Sequence, residues 1–229
     1  MNDLILAQNE IKNIDISLNY GELYFETGDT FSVTYENVDL KDFDITEEGN
    51  RLSIRHKRKG AIRFFGKVSD PTPIIRITVP TQHAFENIVL ATGAGEVHAT
   101  SLTTSYFSLK SGAGEFHIEE LNVSDQASIN SGAGEIHVRN GNIHNLEISS
   151  GAGEVHLQAT LTGNSNITTG VGEIHLQLLG TPDDYSATVA KGIGRLCVNG
   201  FTSGNGMTYG SGPNHIMVTG GVGEIHLSV

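Results

Sequence analysis

Apolar and polar residues alternate along most of the chain, in short runs whose phase switches at glycine. Phe107-Ser108-Leu109-Lys110 and Leu146-Glu147-Ile148-Ser149 alternate with period two, the pattern of a half-buried strand. Beyond the next glycines the alternation resumes, with Glu154 and His156 on one side and Val155 and Leu157 on the other. The apolar set has moved from even to odd positions, which a straight strand cannot do. A corner or bulge is therefore expected at Gly-Ala-Gly, where glycine accepts positive φ. Four to six positions after each His another apolar residue (Leu102, Leu121, Ile143, Leu161 or Leu179) starts a third side.

The unit recurs. Gly93-Ala94-Gly95-Glu96-Val97-His98 is followed by copies opening at Gly112, Gly132, Gly151, Gly170, Gly192 and Gly221, at separations of 19, 20, 19, 19, 22 and 29 residues. An aliphatic residue stands three positions before each first glycine, from Leu90 to Val218. Stacking such units at the strand spacing of ~4.8 Å gives parallel sheets around a narrow aliphatic core. The expected fold is all-β: a single-stranded, right-handed parallel β-helix (β-solenoid) with coils of about 19–20 residues. It is read as one domain over 1–229, with irregular coils and a cap at 1–87 and regular coils at 88–229.

The first 90 residues read as the same architecture with its motif eroded. Ile16 to Phe25 aligns with the repeat and puts Tyr24 in the His place. Asp42 to His56 reads as a hairpin around Glu48-Gly49-Asn50, and Ile75 to Val79 as a strand ended by Pro80. At most one short helix is expected, near Gln82–Glu86. An atypical end region is what a solenoid needs to cover its open sheets.

Composition sharpens this picture. Glycine accounts for 28 of 229 residues and proline for 5, which suits tight corners better than a disordered linker. The single Cys197 excludes an internal disulfide and fits a reducing compartment. Met1 to Leu6 shows neither a basic start nor a long apolar stretch, and no run reaches the ~18 apolar residues of a membrane span. A cytoplasmic location is thus expected from sequence. The net charge is −12, but residues 51–67 hold Arg51, Arg55, Lys57, Arg58, Lys59, Arg63 and Lys67 with no acid. These are half of the 14 basic residues; the rest of the chain keeps 7 against 26 acids, a balance of −19.

With these residues in hand, the chain resembles the bacterial "putative adhesin" family that carries a β-helical domain of unknown function. The likeness rests on Ile77-Thr78-Val79-Pro80, on the Gly-x-Gly-Glu-x-His coils, and on Asn214-His215-Ile216 through Gly221-Val222-Gly223. It covers nearly the whole chain. The resemblance implies attachment or envelope association, often in Gram-positive bacteria, with some relatives tied to envelope stress. It places the protein, as the alternative location, at the bacterial cell surface, and it implies no catalytic residues.

Candidate chemistry lies in three places. Gly-Ala-Gly lacks a following Lys-Ser/Thr and opens a strand, which rules out a P-loop or dinucleotide fingerprint, and no cofactor motif is read. If coils stack in register, Glu96, Glu115, Glu135, Glu154 and Glu173 form a ladder beside His98, His117, His137, His156 and His175. Carboxylates ~5 Å apart repel by roughly 1 kcal/mol in water, which neighbouring imidazoles relieve. A duplicated repeat with exposed side-chain ladders accounts for the pattern; weak zinc-type binding is the functional alternative. In the sixth copy Arg195 and Cys197 replace Glu and His. That arrangement predicts charge relief between Glu173 and Glu224, and a thiol beside His175 and Arg195.

The third place is the basic island. Arg55, Lys57, Arg58, Lys59, Arg63, Phe64, Phe65 and Lys67 either dock on the acidic body or contact an anionic envelope component or protein. Nucleic acid is excluded as a partner by the acidity of the rest. The function expected is a non-enzymatic binding or scaffold protein of the envelope. The alternative is a polysaccharide-acting β-helix enzyme, a lyase or hydrolase, which would need a few unique acids and bases in a cleft.

Overall fold

The computed structural model describes residues 2–4, 10–57 and 71–229, and most of these lie in strands. The N-terminal part contains β1 (Asn2–Leu4), β2 (Asn13–Gly28), β3 (Ser32–Glu36), β4 (Phe43–Glu48), β5 (Arg51–His56) and β6 (Ile74–Pro80). β7 (Phe85–Val138) then runs unbroken through three coils. It is followed by β8 (Asn142–His144), β9 (Leu146–Thr162), β10 (Asn164–Leu178) and β11 (Tyr185–Val198). β12 (Phe201–Ser203), β13 (Gly206–Gly210) and β14 (Asn214–Ser228) complete the chain. The fold is all-β and solenoid-like. The expected hairpin is β4–β5, which pair antiparallel about Gly49, and the expected strand before Pro80 is β6. No helix forms at 82–86, where Gln82 turns the chain at φ 68°. The helical turns among the described residues are 3-10, at Leu40–Asp42 and Pro182–Asp184.

Neighbouring coils pair parallel and in register. Gly134 faces Gly153 and Gly153 faces Gly172; Ile136, Val155 and Ile174 line up likewise. In-register pairing carries the alternation inward on every side. In one coil Ile148, Val155 and Leu161, from three sides, are each no more than 1% exposed. Burying each such aliphatic side chain contributes about 1.5–3 kcal/mol. In the following coil Leu178, opposite Ala159, is buried, and Leu179, expected to start the third side, is half-buried.

The corner lies where the parity argument put it. Gly134, the second glycine of its motif, takes φ 122°, and a Cβ there would lie 1.9 Å from the carbonyl oxygen of Gly114 in the coil below. The first glycine is confined by contact alone: a Cβ on Gly132 would lie 2.4 Å from the carbonyl oxygen of Gly112. Both glycines are therefore dictated by the close approach of stacked backbones. Just before the corner the side chain points inward and is a hydroxyl in four successive coils, Ser111, Ser131, Ser150 and Thr169. Ser131 donates to the Ala133 carbonyl at 3.3 Å, whereas Ser150 and Thr169 are buried with no partner.

Threading departs from a simple spiral at both ends. β14, last in sequence, is inserted between β10 and β11, parallel to both. At the other end β2 lies between β7 on one side and β5 and β6 on the other. Each terminal coil is thus interior. The outer edge of β11 is covered antiparallel by β13 at Ser186–Ala190 and by β12 at Leu196–Val198, which shortens the open edge.

Candidate functional site

The motif places Glu and His two residues apart on an outward face, and the register stacks them. His98, His117, His137, His156, His175 and His226 form one column. Their centroids are 4.6–5.2 Å apart and their planes lie within 12° of parallel. Tyr24 extends the column, stacked 4.9 Å from His98, and the Arg76 guanidinium caps it 4.3 Å above the tyrosine ring. Tyr24 stands in the His place by motif order (Gly21-Glu22-Leu23-Tyr24); Arg76 belongs to no copy of the motif and reaches the column only because β6 pairs with β2.

Every imidazole is tied to its own coil. The Nε2 atoms of the six histidines lie 2.9–3.1 Å from Oε2 of Glu96, Glu115, Glu135, Glu154, Glu173 and Glu224. An ionised carboxylate only accepts, so Nε2–H donates in each pair. The Tyr24 hydroxyl makes the equivalent bond to Glu22 at 2.8 Å. The hydrogen bond from His156 holds the Glu154 carboxyl below the ordinary carboxylate value; burial opposes it, and the charges of His156, His175 and His137 add to the lowering. Glu224 is lowered by its bonds from His226 and then Arg195.

This arrangement bears on metal binding. Stacked parallel rings send their in-plane lone pairs out side by side, ~5 Å apart. An ion ~2.1 Å from one nitrogen is out of reach of the next ring's plane. Among the described residues no three His, Cys, Asp or Glu side chains converge to hold an ion.

The sixth motif copy sits elsewhere than expected. Because β14 is inserted, Arg195 borders Glu224 alone, which it binds at 2.8 Å, and does not lie between Glu173 and Glu224. Cys197 is half-buried beside His226, not beside His175. It lines, with His137, His156, His175 and Gly200, a shallow groove of about 400 Å³ along the column.

Of the basic island, Arg55 pairs with Asp15 at 2.6 Å and Lys57 with Asp44 at 2.9 Å. Arg58, Lys59, Arg63, Phe64, Phe65 and Lys67 lie outside the described residues. No helix of the described residues is long and apolar enough to cross a membrane.

Fold and column together define a repeat β-protein that displays in-register side-chain ladders. The chain belongs to the Toastrack family, DUF4097, whose model matches residues 11–200. No curated protein matches it in sequence. Among solved structures it is similar to a "putative cell adhesion protein" from Clostridium sporogenes, at 20% identity and TM-score 0.38, over 99% of this chain and 97% of that one. A "putative adhesin" from Bacteroides fragilis matches at 16% identity and TM-score 0.34, over 99% and 95% of the two chains. A "putative lipid binding protein" from Parabacteroides distasonis matches at 14% and TM-score 0.41, over 99% and 96%.

Proposed function

We propose that the protein is a non-enzymatic binding scaffold of the bacterial envelope, a single solenoid domain whose basic segment 51–67 contacts an anionic envelope component. The sameness of the coils supports the reading. Six Glu–His pairs share one geometry, 2.9–3.1 Å, on one face. Catalysis draws on unlike groups whose environments push their pKa values apart; a display surface draws on repetition. The envelope setting is what the resemblance to adhesins implies.

In this reading Arg55 and Lys57, held by Asp15 and Asp44, dock the start of the basic segment on the solenoid. Arg58, Lys59, Arg63 and Lys67, with Phe64 and Phe65, supply the contact to membrane or wall polymer. Co-sedimentation tests it, with phosphatidylglycerol vesicles, phosphatidylcholine vesicles and isolated anionic wall polymer. The parent binds an anionic target, binding falls as salt rises, and Arg58→Glu/Lys59→Glu/Arg63→Glu abolishes it. Absence of salt-sensitive binding to both anionic targets overturns the proposal.

A further inference from the structure

The face that precedes the glycine corner differs in chemistry from the Glu–His face. Parallel pairing aligns Ser128, Glu147, Asn166, Met217 and Thr188 in one outward column. Asn164, His215 and Ser186 align in a second, and Asn130, Ser149, Thr168 and Thr219 in a third. These are amides and hydroxyls with few charges.

Two grooves lie on this face. One, of about 610 Å³, is lined by Gln126, Asn164, Asn166, Thr188, His215 and Met217 among others, and Glu147 is the only carboxylate, and no Lys or Arg, in its lining. The other, of about 630 Å³, runs along the first glycines past Asn19, Asn130 and Ser149, with Lys110 as the only charged residue in its lining. Glu147 and Ser149, two residues apart on β9, join the two grooves.

The side chains of Gln126, Asn164, Asn166 and Thr188 bond to no other described residue, so their donors and acceptors are open to a ligand. Met217, 53% exposed, offers an apolar platform between them. Ser186 Oγ and His215 Nδ1, 2.6 Å apart, brace the far end of the groove.

We propose that this face binds an uncharged polysaccharide laid along the solenoid axis. An amide presents a donor and an acceptor at once, which is what a sugar hydroxyl requires in return. The columns repeat at the strand spacing of ~4.8 Å, so a polymer with many similar hydroxyls meets a polar group at each coil and gains by multivalency. Apolar C–H faces of the sugar rings pack on Met217. A polyanion would need cations, and among the described residues the linings of the two grooves supply Lys110 alone; a polycation would favour the carboxylate column on the other face. The inference is independent of the basic segment, so either can fail without the other.

Native gels cast with laminarin, yeast mannan or xyloglucan test it, with polygalacturonate and heparin gels as charged controls. The expected result is retardation by at least one neutral polymer, unchanged up to about 0.5 M salt, because no ion pairs are screened. Gln126→Ala/Asn166→Ala/Met217→Ala, all on exposed side chains, weakens retention about tenfold or more while the melting temperature stays within a few degrees. His137→Ala/His156→Ala, on the other face, retains full binding. Unchanged mobility in all three neutral gels, retention confined to charged polymers, or equal retention of the triple variant overturns the proposal.

Discussion

Cys197 stands in register with His226 on the neighbouring parallel strand, although the coil that precedes Cys197 in sequence carries His175. The last strand of the chain has taken the place that simple spiralling would leave to β11. That substitution decides which residues meet across the final two steps of the column. It also puts Arg195 at the column's end, where it compensates Glu224 and no other carboxylate of the ladder.

Engineered cysteines distinguish the two stacking orders. Adjacent parallel strands set Cys197 and residue 226 ~5 Å apart at Cα, inside the 4.4–6.8 Å range of disulfides, while residue 175 is about twice as far. His226→Cys should therefore oxidise to a disulfide with Cys197, seen as loss of free thiols in the monomer, and His175→Cys should not. The reverse result would restore the sequential order.

Gly134→Val should be among the most damaging single changes in the chain. It combines a β-branched residue at φ 122° with a Cβ 1.9 Å from the Gly114 carbonyl oxygen. A loss of about 3 kcal/mol or more is expected, which lowers the melting temperature by roughly 6 °C or more at this chain length. A melt within about 1 °C of the parent contradicts the close-contact corner.

His156→Phe separates stacking from hydrogen bonding. A phenyl ring keeps its place between His137 and His175 but cannot donate to Glu154. The folded carboxyl titrates below its ordinary 4.5. The pair therefore contributes stability above that pH and loses it as pH falls through the depressed folded value. Carboxyl-detected NMR should show Glu154 rising toward its ordinary value in the variant. Acid melts should show a smaller loss of stability below about pH 4.5. A Glu154 titration that does not move assigns the depression to something other than the histidine.

Ser150→Ala and Ser131→Ala should differ in sign. The Ser150 hydroxyl is buried without a partner, and removing an unsatisfied group relieves a cost of about 1–3 kcal/mol. The Ser131 hydroxyl bonds to the Ala133 carbonyl, and its loss costs about 1 kcal/mol. Thermal melts of both variants read this directly. Equal destabilisation by the two would mean that the Ser150 hydroxyl is satisfied in solution.

Much of the column was legible in advance. Gly-x-Gly-Glu-x-His at a spacing of one coil forces in-register stacking, since a slip of one residue would turn every buried aliphatic residue outward. Tyr24 was recognisable because Glu22 and Gly21 flank it in motif order. Arg76 was not, because β6 carries no copy of the motif and meets Tyr24 only through pairing with β2. Leu179 does not fill the interior because β10 keeps the register of β9 past His175, which sets Leu178 against the buried Ala159. The amide face escaped notice because Asn, Ser and Thr two or four positions before a glycine read as ordinary solvent-facing residues until register sets them in columns.

The sequence by itself determined the repeat, the parity switch at the glycines, the aliphatic interior and the placing of Glu and His two residues apart on one outward face. All of these follow from local alternation and from contacts between residues one coil apart. Tertiary structure alone decided the order in which coils stack at the two ends. Any coil carrying the motif fits against any other, so local pattern does not choose the neighbour of β11. The choice falls to non-local terms. Interior placement pairs both edges of β14, leaves β12 and β13 to cover parts of the edge of β11, and gives Glu224 the guanidinium of Arg195.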